Sequence, residues 1–200
     1  MSRRTEMLEL AILGLLHDSP MHGYELRKQL HLVMGTVRTL SYGTLYPRLR
    51  ELVHHGWIHA MEDTSLRRPG STIPAGRRNR ITYELTAEGK ERFGRLLEQA
   101  GPAAWEDGTF DVHFAFFGRT NSDVRLRILE GRRSRLEERL ATIRDSGSPG
   151  GDAYTAELHR HGLESAEREV RWLAGLIESE RSAHFRTAPS RLDNITDHKE

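Results

Sequence analysis

The sequence predicts a mainly α-helical chain in two parts. The first has four helices and a two-stranded hairpin, and the second is all-helical. Three observations predict this. Leucines recur at helical spacing in three segments before residue 56. Two short alternating stretches flank an arginine-bearing loop. Beyond Gly101-Pro102 the apolar residues again recur every three or four positions. The expected domains are residues 1–100 and 101–185, followed by a polar tail, 186–200, without order.

Residues 5–17 place Leu8, Ile12, Leu15 and Leu16 at helical spacing, with Thr5 and Glu6 at the start and Asp18-Ser19-Pro20 as the stop. A second helix, 22–33, carries Tyr24, Leu26, Leu30 and Val33 on its apolar side. Ser41 caps a third that runs to His55, with Leu45, Leu49, Leu52 and Val53 as its stripe and Gly56 as its left-handed stop. The stretches 57–61 and 80–85 alternate and read as paired strands. Thr86 opens the fourth helix, which buries Phe93, Leu96 and Leu97. Three helices, a two-stranded wing and a further helix make a winged helix-turn-helix. In the second part, "FDVHFAFFG" reads as a short aromatic helix ending at Gly118. Residues 122–145 form a long helix with Leu126, Leu129, Leu136, Leu140 and Ile143 on its apolar side. The last helix, 153–181, carries Tyr154, Leu158, Ala166, Val170, Leu173 and Ile177 near heptad spacing, and 146–152 is the linker between the two.

Composition narrows the chemistry. Two hundred residues with 30% charged and 36% hydrophobic side chains suit one or two soluble domains. The absence of cysteine excludes disulfides, zinc–thiolate sites and thiol catalysis, and fits a reducing compartment. The apolar run near the N-terminus is interrupted by Glu9 and has no small-residue cleavage site, so it reads as a core helix rather than a leader. No run reaches the length of a membrane span, so no membrane partner and a cytoplasmic location are expected. Net charge is +1, unevenly placed: 15 Lys and Arg face 11 Asp and Glu in residues 1–100, against 15 and 18 in residues 101–200. A polyanion would meet the first part.

The stretch "SYGTLYPRLRELVHHGWI", 41–58, carries the function. Its leucines bury one side, while Ser41, Tyr42, Gly43, Thr44, Tyr46 and Arg48 crowd the leading end. That end of a helix offers free N–H groups and a positive dipole pole, both suited to phosphate. Hydroxyls bond phosphate oxygens, tyrosine rings pack on sugars or thymine methyls, and arginine reaches guanine or phosphate. Gly43 removes bulk where the backbone would approach DNA, and Pro47 forfeits one helical hydrogen bond. Half-buried packing of the tyrosines is the competing reading, Tyr46 most of all. Arg67, Arg68, Arg77, Arg78 and Arg80 stand at the tip and return of the hairpin, where they suit a DNA backbone or minor groove; the alternative is a solvated loop. Histidines 54, 55 and 59 have no carboxylate at ligand spacing, and 159 and 161 point to different sides of a helix. No glycine-rich phosphate loop, G-x-S-x-G or H-E-x-x-H occurs. No metal, cofactor or enzymatic activity is therefore expected.

"AILGLL", "HGYEL" and "SYGTLYPRLRELVHHGWI", followed by "YELTAEGKERF", resemble the PadR family of bacterial transcriptional regulators over residues 5–97. The all-helical second part, with Trp172-Leu173 in its last helix, resembles the C-terminal dimerisation domain of the larger members. The resemblance implies a homodimeric winged-helix repressor, less often an activator, bound to an inverted-repeat operator in double-stranded DNA. It places Ser41, Tyr42, Thr44, Tyr46 and Arg48 on the DNA-reading helix and the loop arginines on the wing, which at 62–79 is longer than the family's usual one. It also implies a small, often aromatic effector. Trp105, Phe110, His113, Phe114, Phe117 and Trp172, with Phe116, are candidates to line its pocket, and ordinary core packing is the competing reading. Two readings from other classes stand beside the regulator. One is a winged-helix module that docks on a protein without specific DNA binding. The other is a small-molecule enzyme on the C-terminal helices, which lacks any recognisable acid, base and nucleophile set.

Overall fold

Leu8, Ile12, Leu15 and Leu16 fall on one side of a helix and all four are buried, as their spacing predicts. That helix is α1 (Arg3–Asp18). The structure, a computed structural model, describes residues 3–34, 42–62, 81–145 and 152–187. Nearly all of the predicted linker, 146–151, and most of the predicted tail, from residue 188, lie outside these. The chain divides into two units, Met1–Asn121 and Ser122–Glu200.

In the first unit α1 packs against α2 (Gly23–Val33), α4 (Ala87–Leu97) and a small sheet. The third helix is α3 (Tyr42–His54). The sheet has three strands where the sequence predicts two. β2 (Ile58–Glu62) pairs antiparallel with β3 (Ile81–Leu85) from Ile58↔Leu85 to Glu62↔Ile81. On the other edge of β3 lies β1 (Met21–His22), with Met21 opposite Tyr83 and His22 opposite Thr82. Two residues are too few to show alternation, so β1 exists only because β3 is beside it. His22 serves two elements there. Its Nδ1 lies 3.0 Å from Thr82 Oγ1, and its backbone N–H donates to Glu25 Oε2 at 3.1 Å at the mouth of α2.

Local chemistry closes α3 and opens α4. Gly56 takes φ +72°, which lets the Gly56 N–H donate to Val53 O and the Trp57 N–H to Leu52 O, each at 3.0 Å. Thr86 Oγ1 accepts from the Gly89 N–H at 2.9 Å and donates to Gly56 O at 2.7 Å, tying the start of α4 to the end of α3. Phe93, Leu96 and Leu97 are buried as expected.

The division between units falls later than the expected boundary at Gly101-Pro102. After α5 (Pro102–Trp105), α6 (Phe110–Ala115) and a 3₁₀ turn (Phe117–Arg119) return to the first core. Val112 and Phe116 are buried among the residues of α1–α4. Phe116 stands edge-on to Phe93, centroids 5.6 Å apart, over Gly14. A β-carbon at Gly14 would fall 2.4 Å from the Phe116 ring, so that glycine is the socket for the ring.

The second unit is a helical hairpin of α7 (Ser122–Asp145) and α8 (Ala153–Thr187). Val124, Ile128, Leu129, Leu136 and Leu140 of α7 are buried, as are Ala166, Leu173 and Ile177 of α8. Ion pairs border this seam: Arg132–Glu169 at 2.8 Å, and Arg125–Glu180, Arg181–Glu130 and Arg144–Glu167 at 2.7 Å.

Four residues expected on apolar stripes are instead exposed. Tyr24 is 70% exposed because Gly23, Leu26 and Leu30 form the buried side of α2, and a residue two before Leu26 faces away from it. Val53 sits one position past fully buried Leu52. Tyr154 and Leu158 are open because Arg144, in the last turn of α7, already pairs with Glu167. The first turns of α8 therefore run beyond the end of α7.

Candidate nucleic-acid interface

α3 is held by three leucines. Leu45, Leu49 and Leu52 are each fully buried, and each contributes about 2 kcal/mol of apolar burial. The opposite side carries Gly43, Tyr46, Pro47 and Arg50, all exposed, with Thr44 half-buried beside them. Tyr46 bridges this face and the sheet. A β-carbon at Gly23 would lie 3.2 Å from its hydroxyl oxygen and 3.4 Å from the Tyr83 ring. The mouth of α2 thus abuts α3 because residue 23 has no side chain. Burial pushes the Tyr83 phenol above its ordinary value, Tyr46 acts in the same direction, and the Arg50 guanidinium acts against both. Tyr46 and Arg50, four residues and about one turn apart, share one side of α3.

The sequence-predicted residues divide three ways. Gly43, Thr44 and Tyr46 stand at the leading, outward part of α3, and Tyr42 opens the helix. Ser41 and the loop arginines, Arg67, Arg68, Arg77, Arg78 and Arg80, lie outside the described residues.

Arg48 is a correction. It is only 4% exposed, and its guanidinium pairs with Glu9 and, at 2.5 Å, with Glu51. The reason is periodicity. Arg48 comes three residues after Leu45 and four before Leu52, which places it on the leucine side of α3. Arg50 is the residue sequence reasoning missed. Two positions from Arg48, it stands across the helix, four after Tyr46, and among the described residues it makes no ion pair. The same leucine spacing that identifies α3 marks Arg50 as outward.

The expected aromatic pocket is not gathered within one unit. Phe110, Phe114 and Phe117 form a chain of rings, 5.6 and 5.0 Å between centroids, with Phe110 buried and the other two half-buried. Phe116 turns into the core, and Trp172 belongs to the second unit, where it is 45% exposed. His113 lines a small cleft with Glu6, Leu10, Leu96, Gln99 and Thr109. Burial lowers its imidazole to about 4, so it is neutral at physiological pH. Among the described residues no three His, Asp or Glu side chains are grouped to hold a metal, and no helix is long and apolar enough to cross a membrane.

Known proteins share parts of this chain. Residues 12–95 match the transcriptional regulator PadR-like family. A 37.1 kDa protein of transposon TN4556 from Streptomyces fradiae is 32% identical over 100 residues, covering 50% of this chain. The chain spans only 28% of that relative's length. Among solved structures, Bacillus subtilis PadR in complex with operator DNA is 21% identical, with a TM-score of 0.39 over 86% of this chain and 98% of that one. The same protein in complex with p-coumaric acid gives 19% identity and 0.38, over 88% and 99%. A PadR-like transcriptional regulator from Bacillus cereus gives 19% and 0.37, also over 88% and 99%. Residues 12–95, the stretch similar to the PadR-like family of transcriptional regulators, hold α2, α3, the sheet and nearly all of α4.

Proposed function

We propose that this chain is a sequence-specific DNA-binding regulator without catalytic activity, acting as a homodimeric repressor on an inverted repeat. One observation carries the reading. Within the stretch similar to the PadR-like family, α3 is fixed by three fully buried leucines while its other side presents Gly43, Tyr46, Pro47 and Arg50. A helix so held can enter a major groove with its leading residues toward base edges and phosphates. Dimerisation is supported by α8, whose Tyr154, Leu158 and Trp172 are exposed along a helix of 35 residues. A small aromatic effector enters the same reading, supported by half-buried Trp105, Phe114 and Phe117.

The test is selection of genomic fragments by the purified protein near physiological salt, followed by sequencing. An enriched inverted repeat with half-sites about one helical turn apart is the expected outcome. Tyr46→Ala and Arg50→Ala should then each weaken binding to that repeat by about tenfold, within the range of a lost base or phosphate contact. Salt-sensitive binding without enrichment would point instead to a module that docks on another protein. Deleting 153–187 should leave a monomer in sedimentation, and a truncated dimer would remove that role from α8.

A further inference from the structure

Glu9 of α1 has no exposed surface, and both its oxygens are occupied. One accepts from Arg48 of α3 and the other from Arg92 Nε of α4 at 2.6 Å. Arg48 gives its other terminal nitrogen to Glu51. The Arg92 guanidinium also lies 5.0 Å over the ring of Trp57, in the turn that ends α3. One carboxylate of the first helix thus holds the third at two points, through Arg48 near its middle and through Arg92 and Trp57 at its close.

Such a network is a poor source of stability, since well-packed apolar side chains serve at least as well in a buried position. Direction is what leucines do not supply. A guanidinium is a planar fork that meets two carboxylates in one orientation, whereas an apolar contact tolerates rotation and sliding. Arg48 stands two residues from Tyr46 and two from Arg50, so any turn of α3 about its axis moves both. We propose that Glu9 and Arg48 are positioning residues. They do not touch DNA, and they set the angle at which Tyr46 and Arg50 are presented, so that the network governs discrimination between operator and other sequences. The inference rests on reading α3 as the DNA-reading helix.

Full-length Glu9→Gln and Arg48→Met separate this from a structural role and from direct contact. Without DNA, amide hydrogen exchange in folded Glu9→Gln should rise across α3 while the buried amides of α1 and α4 hold. An even rise in all three helices, or none, would overturn the proposal. With DNA, the ratio of operator to random-duplex affinity should fall by about tenfold. The log–log salt slope should stay as in the natural protein, since no phosphate contact is lost. An unchanged ratio, or a slope reduced by about one in Arg48→Met, would overturn it, the latter by making Arg48 a phosphate ligand. Arg48→Lys keeps the charge but not the fork, so its ratio should fall too, and a full rescue would also overturn the proposal. Should the natural protein show no operator preference, the regulator reading fails by itself and the exchange measurement still decides the positioning role.

Discussion

Two arginines two positions apart have opposite fates in α3. Arg48 is inside, paired with Glu9 and Glu51, while Arg50 is outside, because two residues carry the chain about 200° around a helix. Single atoms matter as much at Gly89. A β-carbon there would lie 2.0 Å from the backbone oxygen of Trp57, which cannot rotate away. Gly89→Ala should therefore cost about 3 kcal/mol or more, the upper end of overpacking, read from the urea midpoint. His113 makes a pH prediction. Its folded value of about 4 lies below the ordinary 6.5, so between them the unfolded chain binds a proton that the folded one does not. Stability should rise with pH from about 4 to 6.5 and level off above. His113→Gln, neutral throughout, should flatten that part of the profile in denaturant titrations at several pH values. The histidine is legible in the sequence as a polar residue among phenylalanines. Its cleft is not, because Glu6 and Leu96 reach it from α1 and α4.

At the scale of elements, every described helix of the first part starts and stops within a few residues of its sequence signals. Thr86 shows how much one cap joins. Its hydroxyl serves the Gly89 N–H and Gly56 O together, so Thr86→Ala removes a helix cap and a tie to the α3 turn at once. The expected loss is about 1–2 kcal/mol, most of it restored by Thr86→Ser, in equilibrium unfolding. What escapes the sequence at this scale is pairing. β1 has no pattern of its own, and the start of α8 carries apolar residues whose exposure depends on where α7 ends.

For the molecule as a whole, the informative result is the place where the first unit ends. Gly101-Pro102 has the composition of a boundary, yet α6 and the turn after it carry Val112 and Phe116 back into the first core. A fragment of residues 1–121 should fold and melt cooperatively by circular dichroism. One of residues 1–101 should melt about 10 °C lower or more, or fail to fold, because losing a buried Phe alone costs about 3–5 kcal/mol. Equal melting of the two fragments would show that α6 merely covers a core complete without it.

The sequence by itself determined the longer helices, the strand pair, the close of α3 at Gly56, the cap of α4 at Thr86 and the leucine side of α3, because spacing at 3.6 and 2 residues and the chemistry of Thr86 and Gly56 are local properties. Tertiary structure alone decided the partners of what that spacing buries. Glu9 lies 39 positions from Arg48 and 83 from Arg92, and nothing local to any of the three announces the other two. A buried charge is tolerated only where the fold brings it a partner, so its place in the chain cannot tell whether it will face water, DNA or another side chain.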